Sequence, residues 1–108
     1  LLPEACEHSS PSWLGFSLTC LEGIDRNQVV SKIESLGIQT RMLFAGNLIR
    51  HPCFDEMRAG GNGYRVVGQS DNTDRIMRDT FWGGVYPGMT YEMLRETADA
   101  IRHAVLLA

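Results

Sequence analysis

The sequence has one lysine, three scattered cysteines and no CxxC pair, and nowhere does it run to the about 20 apolar residues that a membrane-spanning helix needs. Each shortage removes a class of function. Without a long apolar run, no membrane helix is expected. The opening residues, LLPEACEHSS, have no basic cluster leading into an apolar stretch, so no secretory signal is expected there. Cys6, Cys20 and Cys53 cannot close a disulfide framework, and the setting expected for free thiols is reducing and cytoplasmic. Cys6 and His8 could touch one metal, but two ligands do not make a site. GxSxG, HExxH, the Walker loop and GxGxxG are all missing, so no catalytic motif is complete. Lys32 falls off the apolar face of its helix. A Schiff-base amine needs a desolvated setting, so covalent amine chemistry is not expected of it. Basic residues number 10 against 13 acidic, a net charge of −3, which argues against a nucleic-acid partner.

What remains is an ordinary globular composition. The chain has 108 residues, 44% of them hydrophobic, and residues 1–108 read as a single domain. A domain of this size is expected to bury roughly two-thirds of its unfolded surface. Charge is unevenly spread. Residues 41 to 78 hold six arginines against four acids, while the rest holds four basic groups against nine acids. Arginine's planar fork suits carboxylates and phosphates. Surface ion pairs are the plainer reading of that cluster, and an anion site in the middle of the chain is the sharper one.

Hydrophobic periodicity gives alternating strands and helices. WLGFSLTC (13 to 20) predicts a strand with Trp13 or Leu14, Phe16 and Leu18 buried. Asp25 predicts an N-cap for a helix over 26 to 36 with Val29, Val30, Ile33 and Leu36 on one face, ending at Gly37. IQTRMLF (38 to 44) predicts a second strand, broken by Gly46 and Asn47. Pro52 opens a short helical turn through Met57, and AGGNG is a loop. YRVV (64 to 67) reads as a short strand or extended arm. A helix follows from Asp71 or Asn72 to about Asp79, carrying Ile76 and Met77 inward. TFWGGVY (80 to 86) predicts a third strand, where Gly83 and Gly84 suggest a bulge or close backbone approach. Thr90 caps a last helix with Met93, Leu94, Thr97, Ala98, Ile101 and Val105 at helical spacing.

The sum is an α/β domain, a two-layer β-α-β-α-β-α sandwich. Its helices pack on one face of a three- to four-stranded mixed or antiparallel sheet. The first and third strands look apolar on both faces, so a bare sheet face is expected to meet a partner, either a second copy or a missing domain.

The densest constellation is GIQTRMLFAGNLIRHPCF (37 to 54). It joins Arg41, Asn47, Arg50 and His51 to Phe44 and Phe54, groups able to hold a phosphate and a sugar. Packed aromatics with surface arginines are the alternative. His103 is expected to face solvent.

That segment, followed by YRVVGQSDNTDRIMRDTFWGGVYPGMT, closely resembles the C-terminal small domain of sugar-nucleotide 3-dehydratases. The branch it resembles is the CDP-4-keto-6-deoxyglucose 3-dehydratase, lipopolysaccharide type, of the fold-type I aminotransferase superfamily. The likeness runs from about Ser12 to the end of the chain. It implies a parent that removes the 3-hydroxyl of a 4-keto-6-deoxy sugar nucleotide with pyridoxamine or pyridoxal phosphate. In this branch a histidine replaces the cofactor lysine, and an iron–sulfur cluster works with a reductase partner. The resemblance assigns that equipment to a large domain. His8, His51 and His103 do not match the catalytic histidine, nor Cys6, Cys20 and Cys53 the cluster cysteines. No catalytic, cofactor-binding or metal residue is therefore expected in this chain, which would be inactive alone. What carries over is one wall of the sugar-nucleotide pocket, at Arg41, Phe44, Gly46, Asn47 and Arg50, with Trp82 as a further position. Two alternatives stand. One is the small domain of a sugar aminotransferase, against which the AGN string argues, since those enzymes carry a His-Tyr pair nearby. The other is a free-standing dimerising module.

Overall fold

The structure is a computed structural model describing residues 1–108. Its elements in chain order are β1 (Gly15–Thr19), α1 (Arg26–Ser35), β2 (Thr40–Met42), α2 (Asp55–Gly60), α3 (Asp71–Asp79), β3 (Thr80–Gly84) and α4 (Tyr91–Leu106). Two short 3-10 turns, Leu48–Arg50 and Pro52–Phe54, lie between β2 and α2. The α/β sandwich expected from the sequence is present, with two helices, α2 and α3, between β2 and β3. Residues 64 to 67 form no strand.

β3 is the central strand, with β1 and β2 antiparallel on either side. β1 and β2 therefore run parallel, and α1 joins them across β3. Leu18 stands opposite Phe81, and Arg41 opposite Trp82. Side chains alternate along a strand, so these pairs fall on opposite faces of the sheet. Phe16, Leu18, Thr40 and Phe81 share the helix-facing hollow with Ile33 and Ile101. Arg41 and Trp82 take the other face.

Local chemistry sets the helix boundaries. The Asp25 carboxylate accepts the Asn27 amide at 2.8 Å, satisfying one of the orphan donors of α1. The Thr90 hydroxyl does the same for Met93 at 3.2 Å. Arg26 ties the layers together: its Nη1 donates to the Met77 carbonyl at 3.2 Å and the Thr80 carbonyl at 3.3 Å, at the C-terminal end of α3.

The core is small. Cys20, Val29, Val30, Ile33, Phe81 and Ala104 form the buried cluster, with Leu18, Ile24, Ile38 and Ile101 packed against it. Several expected core positions are instead exposed: Leu14, Leu36, Ile76, Leu94 and Val105. In α4 the deeply buried residues are Ala100 and Ala104. Small side chains one turn apart let α4 lie close against α1, which is its main contact. The surface is 8268 Å², against about 6,000 Å² for a compact monomer of 12.1 kDa. By the same scaling the chain buries roughly half of its unfolded surface, below the expected two-thirds. The radius of gyration, 16.7 Å, also exceeds the about 13 Å of a compact chain this long.

The expectation that β1 is apolar on both faces is corrected, while β3 keeps Trp82 on its outward face. The outward positions of β1 are Gly15, Ser17 and Thr19. The Thr19 and Thr80 hydroxyls bond across the strands at 2.9 Å. Trp82 lies so flat on Gly15 that a Cβ there would come within 2.1 Å of the indole. Close approach thus falls at Gly15. Gly83 and Gly84 stay in the regular ladder, and a Cβ on either would meet nothing within 4 Å.

Candidate functional site

The loop that follows β2 carries most of the candidate residues, and it is pinned to α3. Gly46 adopts a φ of +62°, and a Cβ on it would fall 2.4 Å from Cγ of Met77. The space that the missing side chain leaves is therefore filled by α3. Asn47 is 5% exposed and uses both ends of its amide. Its Oδ1 accepts the Ile49 amide at 3.3 Å, capping the first 3-10 turn, and its Nδ2 donates to Oδ1 of Asp74 at 2.7 Å. Arg50 meets the same carboxylate with two bonds, Nε to Oδ1 at 3.2 Å and Nη2 to Oδ2 at 2.8 Å. The Arg50 guanidinium and the Asn47 amide together hold the Asp74 carboxyl below the usual carboxylate range, and the pairing raises Arg50 in turn. The His51 imidazole meets the Ala45 carbonyl at 2.5 Å, and Arg58 donates to the carbonyls of Ile49 and His51.

The loop's other end points outward. Phe44 is 81% exposed, and it has a φ of +49°, a left-handed conformation that a bulky residue rarely adopts. Its amide donates to the Met42 carbonyl at 2.8 Å. Phe44 shares an open hollow of about 190 Å³ with Trp13, Leu14, Leu43 and Trp82 on the sheet face away from the helices. Trp82 is fixed by a bond from Nε1 to the Met42 carbonyl at 3.2 Å. Arg41 is exposed beside Trp82 across the β2–β3 ladder and donates only to the carbonyl of its neighbour Thr40, at 2.9 Å.

The candidates thus form two groups. Asn47 and Arg50 converge on Asp74, with Gly46 seated on Met77. Phe44 and Trp82 line one hollow, with Arg41 at its side. Arg41 and Arg50 share no partner. Asp74 and Arg58 were not singled out from sequence, and Met77 and Trp13 were named there only as buried positions. Asp74 and Met77 sit inside the NTDRIM string, whose specificity was the available signal.

The other titratable groups stand apart. Lys32 donates to the Leu107 carbonyl at the end of α4. His8 and His103 are exposed, Cys6 and Cys53 are exposed, and Cys20 is in the core. No three metal-ligating side chains converge. A pyridoxal phosphate site needs an amine or imidazole over the ring and a cradle for the phosphate. Lys32 and His51 each meet a backbone carbonyl, and His8 and His103 stand exposed at opposite ends of the sequence, so the residues present do not fit that group. No helix is long and apolar enough to cross a membrane.

A model of the DegT/DnrJ/EryC1/StrS aminotransferase family matches residues 2–102. The lipopolysaccharide biosynthesis protein RfbH of Salmonella typhimurium is 53% identical over 95 residues, covering 86% of this chain and 21% of that protein. The dTDP-4-dehydro-2,6-dideoxy-D-glucose 3-dehydratase of Saccharopolyspora spinosa is 42% identical over 107 residues, covering 97% of this chain and 22% of that protein. Among solved structures, a point variant of GDP-4-keto-6-deoxymannose-3-dehydratase (ColD) with bound GDP-perosamine superposes with a TM-score of 0.75 at 22% identity, over 93% of this chain and 25% of that one. The E. coli GDP-4-keto-6-deoxy-D-mannose-3-dehydratase with bound hydrated PLP gives 0.69 at 24% identity, over 96% and 25%. The chain spans about a fifth of the length of these curated relatives and a quarter of each solved chain.

Proposed function

Since the chain belongs to the DegT/DnrJ/EryC1/StrS aminotransferase family, we propose that it is the C-terminal small domain of a sugar-nucleotide 3-dehydratase of deoxysugar and lipopolysaccharide biosynthesis. Its part in that work is to form one wall of the sugar-nucleotide pocket. The names of the two curated relatives support the substrate class, and the fold shared with the solved dehydratases supports the domain assignment. The parent's chemistry is supplied by pyridoxal or pyridoxamine phosphate, held with any iron–sulfur cluster by residues other than these. No step through either group is derived for this chain.

The observation that carries the reading is Phe44. An aromatic ring 81% exposed on left-handed backbone gains nothing from burial in this chain, and strain of that kind persists where a ligand uses it. Phe44 and Trp82 offer flat apolar faces to a base or a sugar. Arg41 beside them offers a fork of donors to a diphosphate. Gly46, Asn47 and Arg50 complete the wall by shaping the loop that presents Phe44. Once the parent covers this face, water leaves and the Arg41 contact strengthens.

The partner surface is proposed on area. The folded surface of 8268 Å² exceeds that of a compact monomer of this mass by roughly 2,000 Å², more than one side of a standard interface. The rest of the parent, or a second copy of it, covers that excess. Exposed thiols at Cys6 and Cys53 fit a cytoplasmic, reducing setting.

The test is Arg41→Ala and Phe44→Ala in the complete parent enzyme. Each is expected to raise KM for the sugar nucleotide by about tenfold or more, with cofactor affinity unchanged. An unchanged KM in both variants refutes the pocket wall.

A further inference from the structure

We propose that Asp74 is the positioning residue of this wall: from the first turn of α3 its carboxylate holds the 43–51 loop in the shape that presents Phe44, acting through Asn47 and Arg50 without touching a ligand. The proposal rests on the pocket-wall reading.

The loop's own bonds are local. Phe44 donates to the Met42 carbonyl, Gly46 to Leu43, Arg50 to Asn47 and His51 to Leu48. None of these ties the loop to another layer. Attachment to α3 comes from Met77, against which Gly46 and the Asn47 amide sit, and from three bonds to Asp74. Of the attachments to α3, only the Asp74 bonds involve a charged group, and bonds to ionised groups are the stronger class; the Arg58 guanidinium, from α2, meets only the far end of the loop, at the Ile49 and His51 carbonyls. The Asp74 bonds also bridge 24 and 27 residues of chain, so they fix a long-range relation that the loop cannot make for itself.

Two features make this brace necessary. The Asn47 side chain is buried, and without Asp74 its Nδ2 loses its partner, so the loop must move to reach water. Phe44, three residues earlier, is held at φ +49° although its ring is largely in solvent. Such a backbone conformation lasts only when its surroundings over-determine it. The ring's contacts are few, so the restraint comes from the loop's fixed end. The carboxylate is itself held ionised by these partners, so the brace stays formed at neutral pH. Arg50, half of the brace, is already committed to a carboxylate, which leaves Arg41 as the free guanidinium beside the hollow.

The experiment follows amide hydrogen exchange by NMR in the whole chain, comparing Asp74→Asn, Asp74→Ala and the reversed pair Arg50→Asp with Asp74→Arg. In Asp74→Asn the Phe44, Gly46, Ile49, Arg50 and His51 amides are expected to exchange roughly tenfold faster, while amides in β1, β3 and α1 keep their rates. Asp74→Ala is expected to act more strongly, and the reversed pair to recover part of the loss. If Asp74→Ala does not fold, Arg50→Gln removes the same pair from the other side and is read the same way. In the complete enzyme, Asp74→Asn is expected to raise KM for the sugar nucleotide while kcat stays within about twofold, with part of the loss recovered by Asp74→Glu. Loop amides unchanged in both single variants overturn the proposal, as does faster exchange spread evenly over the chain. The pocket wall is judged separately by the KM of Arg41→Ala, so its failure is distinct from a failure of the Asp74 brace.

Discussion

Replacing Gly46 by alanine adds one methyl group where the loop after β2 meets α3, and two costs follow. Holding a non-glycine residue at φ +62° costs about 1 kcal/mol. The new Cβ would also lie 2.4 Å from Cγ, 2.8 Å from Cβ and 3.0 Å from the sulfur of Met77. The sulfur can swing away, but Cβ is fixed to α3, so either the helix or the loop must shift. Overpacking of that kind costs about 1–3 kcal/mol. The expected loss is therefore about 2–4 kcal/mol. Gly61 is the internal control. Its φ is +64°, and a Cβ there meets nothing within 4 Å, so Gly61→Ala carries the backbone cost alone. Urea and thermal unfolding followed by tryptophan fluorescence compare the two, with Gly46→Ala melting at least about 5 °C below Gly61→Ala. In a Met77→Ala background the Cγ and sulfur contacts are gone but the 2.8 Å contact to Cβ remains, so the cost of Gly46→Ala should fall only in part, staying above the about 1 kcal/mol of the backbone alone. Equal losses for the two glycine variants would refute the packing of this loop on α3.

Three further outcomes are expected. Ile33 is 1% exposed and Leu36 56%, so Ile33→Ala should lose about 2–4 kcal/mol in urea unfolding while Leu36→Ala stays within about 0.5 kcal/mol. The Cys20 thiol is pushed up by burial first and by the nearby Asp79 charge second, so a thiol reagent should count two fast equivalents, at Cys6 and Cys53, and a third only on unfolding. The Asp74 carboxyl lies lower in the folded chain than its unfolded value of 3.8, so its contribution is fully present above that value and is lost as pH falls through the lower folded one; the gap in unfolding midpoint between the wild type and Asp74→Asn should be constant from pH 7 to 5 and close in strong acid, and a gap that widens in acid would reverse the sign.

Much of the scaffold was legible because it is written locally. Asp25 and Thr90 cap their helices through side chains two or three residues away, and Val29, Val30 and Ile33 repeat at helical spacing. The three strands follow from β-rich runs between turn residues. Where the sequence misled, the deciding partner was distant or absent. Leu94 and Val105 fit the spacing of a buried face, yet α4 meets α1 through Ala100 and Ala104, a choice made by which side chains allow close approach. YRVV has the composition of a strand, but no strand edge is paired with it. Within the candidate site, Phe44 and Arg41 could be named from the sequence as chemistry in one segment. The commitment of Asn47 and Arg50 to Asp74 was not, because nothing in a one-dimensional pattern marks a carboxylate 24 residues away. The left-handed backbone of Phe44 was equally hidden, since propensity favours glycine or asparagine there.

The strand order has a consequence for how the chain comes into being. β1 and β2 each pair with β3 alone, so Leu18 waits for Phe81 and Met42 waits for that same residue. No hairpin is available as an early seed. A chain growing from the ribosome can form the turns of α1 soon after residue 35, but it has no sheet to lay them on until residues 80 to 84 have emerged. Until then β1 and β2 remain without a hydrogen-bonding partner. Closing loops of this length before any contact rewards them makes assembly slow, and it leaves β1 and β2 open to pairing with other chains in the meantime.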